Sequence, residues 1–245
     1  MKARARVVAE ADGRGGTRLA VLRSEAPLVL RSTPGALYLV GGAGGPLGGD
    51  DLALQVEVGP GAQLTVRTAA ASIALPGPGP SRVTVEATVA AGATLEWLPE
   101  PVVAVEGCVH HMQSEVVVDA GGRVTWREEL LLGRHGEGPG SVVTRAHVDF
   151  GGAPLLRHEL SLGPRHPFAA GPAVSAGARA VGSVFLAGDG WATLGSVVLG
   201  PTAAVLPLAG CGAQVVALAG DSISLRHLLD AGIVSAVSET PLSLT

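Results

Sequence analysis

The chain has 245 residues, 47% of them hydrophobic and 16% charged, which is enough to bury a sizeable core. Its net charge is −4 and Lys2 is the only lysine among scattered arginines, so the basic stripe that nucleic acid requires is missing. Aromatics make up 3%, while 36 glycines and 17 prolines punctuate the chain too often for long helices over most of its length.

Residues 1–10 are short, polar and alternating, which fits a first strand and not a signal peptide. With Cys108 and Cys211 as the only cysteines, a reducing cytoplasm is expected. Residues 41–49 form a flexible glycine loop. Beyond it, residues 56–66 read strand, tight turn, strand around Gly61. Residues 89–97 around Gly92, residues 116–126 around Gly121 and, more weakly, residues 147–155 around Gly151 repeat that phrase. The spacing of about 30 residues is that of stacked supersecondary units. Each turn glycine can take a positive φ, so each copy reads as a hairpin whose apolar face is buried only when the copies stack. The expected fold is all-β and β-helix-like, built of stacked antiparallel sheets from repeated hairpins. It forms a single domain over residues 1–245, with one or two short helices towards the C-terminus.

Later in the chain, residues 76–80 alternate proline and glycine as a stiff loop. Residues 191–220 carry no charge and exceed the roughly 20 residues of a membrane span. Pro201, Pro207, Gly195, Gly200, Gly210 and Gly212 would break such a helix, so residues 197–199, 205–206 and 215–216 read as short buried strands. No membrane partner is expected. A helix follows over 221–229, capped by Asp221 or Ser222, with Ile223, Leu225, Leu228 and Leu229 on one face.

Three groups of residues bear on chemistry. The run Gly44-Gly45-Pro46-Leu47-Gly48-Gly49-Asp50 lacks the Lys-Ser/Thr pair of a phosphate loop. It reads as a turn where backbone approaches something closely, with Asp50 either bonding turn amides or presenting a carboxylate. Cys108-Val109-His110-His111 offers soft-metal donors, but strand alternation puts only Cys108 and His110 on one face. A tetrahedral site needs two more, from Cys211, His135, His147, His158 or His166. Glu96, Glu100, Glu106, Glu128, Glu129 and Glu137 make a carboxylate-rich middle, either solvated strand faces or the paired acids of a carbohydrate-active β-helix enzyme.

Four phrases together resemble one known family. They are the loop ending Gly49-Asp50, the stretch Leu95-Glu96-Trp97-Leu98-Pro99-Glu100-Pro101, the Glu106-Gly107 after it, and Glu129-Leu130-Leu131-Leu132-Gly133-Arg134-His135-Gly136-Glu137. In that order and approximate spacing, over residues 34–160, they resemble the urease accessory protein D family, also called H. The resemblance implies a non-enzymatic β-helix-like scaffold that binds accessory protein F, recruits the GTPase accessory protein G through it, and docks on apo-urease. It implies nickel in transit through internal tunnels, with no tightly bound cofactor. Passage favours spaced carboxylates and carbonyls over a closed thiolate cage. Asp50, Glu96, Glu129 and Glu137 match acidic positions of the family motifs, as conduit lining or as interface supports; Gly49, Trp97, Pro99, Gly133 and Arg134 match its structural positions. One stretch departs: the family's Thr-Thr pair with a following Lys and Tyr is reduced to Thr68 within residues 67–75. The rival readings are the carbohydrate-active enzyme, which predicts turnover on polysaccharide, and a self-associating β-solenoid, which predicts homo-oligomers and no nickel phenotype.

Overall fold

The computed structural model describes residues 1–192 and 194–239. Thr193, inside the uncharged segment, and residues 240–245 of the expected domain lie outside the described residues. The chain opens with β1 (Lys2–Ala11), β2 (Thr17–Arg23), β3 (Leu28–Thr33), β4 (Ala36–Gly41), β5 (Asp51–Val58), β6 (Gln63–Thr68) and β7 (Ser72–Ala74). It continues with β8 (Ser81–Val89), β9 (Thr94–Leu98), β10 (Val102–Ala104), β11 (Val109–Val118), β12 (Arg123–Leu132), β13 (Ser141–Phe150) and β14 (Ala153–Leu162). Strands β15 (Ala180–Ala187), β16 (Val197–Gly200), β17 (Ala203–Pro207) and β18 (Gly212–Ala219) precede the helix α1 (Ser222–Glu239).

Two sheets face each other. The first has seven strands in the order β14-β13-β11-β8-β5-β1-β2. The second has eleven, in the order β16-β17-β18-β15-β12-β9-β6-β4-β3, with β10 and β7 attached beside β12. The mostly β, solenoid-like class matches the sequence reading, but the pairing inside each repeat does not. The two arms of a copy lie in different sheets: β5 leads to β6, β8 to β9 and β11 to β12 across the stack. Each strand pairs in parallel with its counterpart one repeat away, Val58 beside Val89 and Leu64 beside Leu95.

The turn chemistry explains this correction. Ala62 N–H donates to Gly59 O at 3.0 Å and Ala93 N–H to Ala90 O at 3.0 Å; φ is positive only at Gly61 (69°) and Gly92 (71°). One positive φ at the third position marks a type II turn, whose twist splays the flanking strands instead of closing a hairpin. In the fourth copy Gly151 (57°) and Gly152 (82°) are both positive, the primed type I signature, and there β13 and β14 do form an antiparallel hairpin with Phe150 opposite Ala153.

Alternation decides what goes inside. Val56, Val58, Val89, Val116, Val118 and Val148 fill the space from the first sheet, and Leu64, Val66, Leu95 and Val124 from the second. Register puts Trp97 beside Trp126 and Trp126 beside Phe185, so their rings stack at 4.9 Å and 5.7 Å between centroids. The uncharged stretch supplies β16, β17 and β18, but not the fully buried strands expected: β16 is the edge strand of the second sheet, and Val198 is 79% and Leu206 42% exposed. Among the described residues, no helix is long and apolar enough to cross a membrane.

α1 runs past the expected end at residue 229. Asp221 caps it, accepting from Ser224 N–H at 2.8 Å. Leu225 and Leu229 are fully buried against β15 to β18, but Ile223 is 69% exposed, so the expected apolar face is narrower by one member. The glycine loop behaves as read: the Gly48 and Gly77 backbones touch, a Cβ on Gly77 would sit 2.4 Å from Gly48 O, and Gly49 N–H donates to Pro80 O at 3.2 Å.

Candidate functional site

The apolar filling between the sheets is divided. One cluster centres on Trp97 and Trp126, the other on Leu130, Leu132, Val142 and Leu162. Three cavities follow the division. The first, about 440 Å³, lies under the loop before β5 and is lined by Asp50, Arg134 and Thr68 among others. The second, about 90 Å³, shares Leu28, Leu39, Thr68, Ser72 and Val83 with the first and adds Ser114, Glu128 and Glu129. The third, about 400 Å³, shares Glu128 with the second and adds Thr144, His158 and Ser183.

Glu128 therefore stands where two cavities meet. Its carboxyl is enclosed although the residue as a whole is only part-buried. Burial pushes that carboxyl up from its ordinary range, against the hydrogen bonds it accepts from Ser114 Oγ at 2.7 Å and Trp126 Nε1 at 3.2 Å. His158 across the third cavity also opposes the shift when charged. Glu128 thus presents one acidic group, bonded by two neutral donors, to the walls of both cavities.

The acidic residues singled out from sequence are not brought together. Asp50 lines the first cavity; it accepts from the Met1 ammonium at 2.6 Å and from Leu47 N–H at 2.9 Å. Burial opposes ionisation of Asp50, but those bonds and the ammonium charge outweigh it and hold the carboxyl below its usual range. Asp50 therefore bonds a turn amide, and its carboxylate is engaged by the Met1 ammonium at the border of the cavity. Glu96 lies on the outer face of the second sheet, where Thr65 Oγ1 donates to it at 2.7 Å, and lines none of the three cavities. Glu137 sits in the loop after β12, clasped by Arg134 Nε and Nη2 at 2.9 Å each; that side-chain pairing pulls its carboxyl down to about 2. Glu129 is buried beneath α1, where Arg226 donates to it from Nε at 3.0 Å and Nη2 at 3.2 Å.

The structural positions serve geometry. Gly133 has φ 83° and a Cβ there would lie 2.4 Å from Gly138 O, so the loop after β12 closes only with glycine. Gly49 also has a positive φ, Trp97 joins the aromatic stack, Pro99 borders the second cavity and Arg134 the first. Cys108 is buried, which raises its thiol, and a Cβ on Gly140 would lie 2.4 Å from its Sγ. His110 is buried too, its Nδ1 2.8 Å from Ser81 Oγ, and burial with the adjacent His111 pushes it down to about 4. Among the described residues, no three His, Cys, Asp or Glu side chains gather as metal ligands. Sequence reasoning named Glu128 only as one of the carboxylates of the middle section, not as a conduit residue, and did not single out Arg226. Strand alternation from Trp126 points Glu128 inward and was the available signal; nothing local marks Arg226, whose partners lie about a hundred residues away.

The family model described as UreD urease accessory protein matches residues 1–238. A protein of Parafrankia sp. (strain EAN1pec) called urease accessory protein UreD is 43% identical over 272 residues, covering 99% of this chain and 92% of its own. Streptomyces griseus has a urease accessory protein UreD 3 that is 48% identical, over 94% of this chain and 95% of its own. The corresponding protein of Streptomyces coelicolor is 42% identical, over 96% of each. By the family model over residues 1–238 and these relatives, this chain belongs to the UreD urease accessory protein family.

Proposed function

We propose that the chain is a non-enzymatic scaffold of urease maturation that passes nickel through its interior. In this reading it docks on apo-urease in the cytoplasm with accessory protein F, which brings the GTPase G, and nickel is cargo and not a resident cofactor. The observation that carries it is the succession of three cavities between the sheets, with Asp50 at one and Glu128 where the other two meet. Carboxylates spaced along such a row, Asp50 exchanging the Met1 ammonium and Glu128 its two neutral donors for the ion, bind a divalent cation well enough to admit it and weakly enough to release it.

The test is co-expression with F, G and apo-urease, pulling on this chain and then assaying urease with nickel and GTP. Asp50→Asn and Glu128→Gln are expected to lower activation by about tenfold or more each while the complex still co-purifies, because one cation ligand is lost. Unchanged activation by both variants sinks the conduit. The carbohydrate-active reading gains no support from the geometry. Glu128 and Glu129 lie on opposite faces of β12, Glu129 and Glu100 are tied to Arg226, and Glu137 is tied to Arg134. These residues present no two free carboxyls flanking a sugar.

A further inference from the structure

The wall of the second sheet has a gap. β12 pairs with β9 over residues 123–126 and with β10 over residues 130–132, so on that side Arg127, Glu128 and Glu129 have no ladder partner. Opposite them runs Pro99-Glu100-Pro101, which belongs to neither strand. Pro99 and Pro101 have no N–H to offer, which is why the ladder breaks here. The gap lies between two spaces: inward is the cavity of about 90 Å³ bordered by Pro99, Glu100 and Glu129, and outward a cleft bordered by Glu100, Pro101, Arg226 and Asp230.

Arg226 stands in this gap. Its Nη1 donates to both oxygens of Glu100, at 3.2 and 3.1 Å, and its Nε and Nη2 fork onto Glu129. One helical turn on, Asp230 accepts from Arg127 Nη2. The Glu129 carboxylate is fully enclosed, and Arg127 Nε, 3.7 Å from it, is buried with no hydrogen-bond partner. Holding the helix down does not need this arrangement: Leu225, Leu229 and Ala236 are fully buried, and a Cβ on Gly182 or Gly232 would strike across the helix–sheet contact, at 2.9 Å from Leu229 and 2.3 Å from Val215. The buried anion faces an opening in which a tethered cation stands.

We propose that the gap is a side port of the interior for a divalent cation, and that Arg226 is its plug. The proposal rests on the conduit reading and adds where the conduit opens and what shuts it. A guanidinium between Glu100 and Glu129 occupies the place through which the metal ion moves; swinging out, it leaves two carboxylates at the rim and lets the ion through. Release of α1 by a docking protein is the natural trigger, since Arg226 and Asp230 both ride on it.

The port is tested on the full chain without nickel. Ser114, buried on the inner side of the gap, is replaced by cysteine, and its labelling by 2-aminoethyl methanethiosulfonate is followed by peptide mass spectrometry. Buried Cys108 and part-exposed Cys211 are the internal references. Arg226→Ala is expected to speed labelling at position 114 by at least about tenfold, the equivalent of losing one charge-assisted hydrogen bond, with Cys108 unchanged. Arg226→Lys keeps it slow. An unaltered rate in Arg226→Ala with a native circular dichroism spectrum overturns the plug, and so does equal acceleration at Cys108, which would mean general loosening. Should Arg226→Ala fail to fold, Glu100→Gln keeps the Glu129 pair and still frees one side of the guanidinium; no acceleration there overturns the proposal as well. Failure of the conduit itself reads out separately, as full urease activation by Asp50→Asn and Glu128→Gln.

Discussion

His110 and Ser81 meet at 2.8 Å on neighbouring strands, both almost without solvent exposure, and the burial keeps the imidazole neutral. With its value lowered from 6.5 to about 4, His110 binds fewer protons folded than unfolded, so the fold loses stability as pH falls through that window and keeps it in full above 6.5. At about 1.4 kcal/mol per pH unit the loss from this one group is about 3 kcal/mol. Urea midpoints taken near pH 7 and near pH 4 check it: His110→Asn should flatten the difference, and an equal slope in variant and parent would assign acid sensitivity elsewhere. The neighbourhood Cys108-Val109-His110-His111 looked metal-like in sequence. In the structure both Cys108 and His110 are packed, and their donors are spent on burial and on Ser81.

At the scale of elements, a single torsion separates a coil corner from a hairpin. Gly61, Gly92 and Gly121 stack at successive corners, with Gly92 N–H donating to Gly121 O at 3.1 Å. Gly92→Ala places a side chain in the left-handed region and is expected to cost about 1–2 kcal/mol, measured as a lowered denaturation midpoint; no change would mean that the corner relaxes to another turn. The period and the turn glycines were legible because both follow from local sequence. Which arms pair was not read, since the choice between the strand across the turn and the strand one repeat away depends on twist at the turn; only Pro60, whose ring holds φ negative before Gly61, marks its corner locally, while φ at Ala91 and Ala120 is not written in the sequence. The helix start was legible through Asp221; its extent to Glu239 was not, because Gly232 argues against a helix until its contact with Val215 is known.

Across the whole molecule the ring stack of Trp97, Trp126 and Phe185 ties the parallel coils to the antiparallel strands that follow them. Trp126 has no solvent exposure, so Trp126→Ala is expected to cost about 3–5 kcal/mol and to lower the melting temperature by at least about 6 °C in a chain of this size. A smaller shift by calorimetry would place the joint elsewhere. The row of cavities belongs to the same scale: Asp50, Glu128 and His158 come from a loop, a parallel strand and a hairpin far apart in the chain, and only the closing of two sheets brings them to its walls.

The sequence alone determined the all-β class, the repeat of about 30 residues and the family, because composition, glycine spacing and short phrases such as Leu95-Glu96-Trp97-Leu98-Pro99 are written in neighbouring residues. The tertiary structure alone decided that the coils run parallel, that Glu96 and Glu137 stand apart from the interior while Glu128 enters it, and that Arg226 closes over Glu129. Those outcomes depend on which strand lies beside which, and a pairing between residues about a hundred positions apart leaves no periodic trace in the chain.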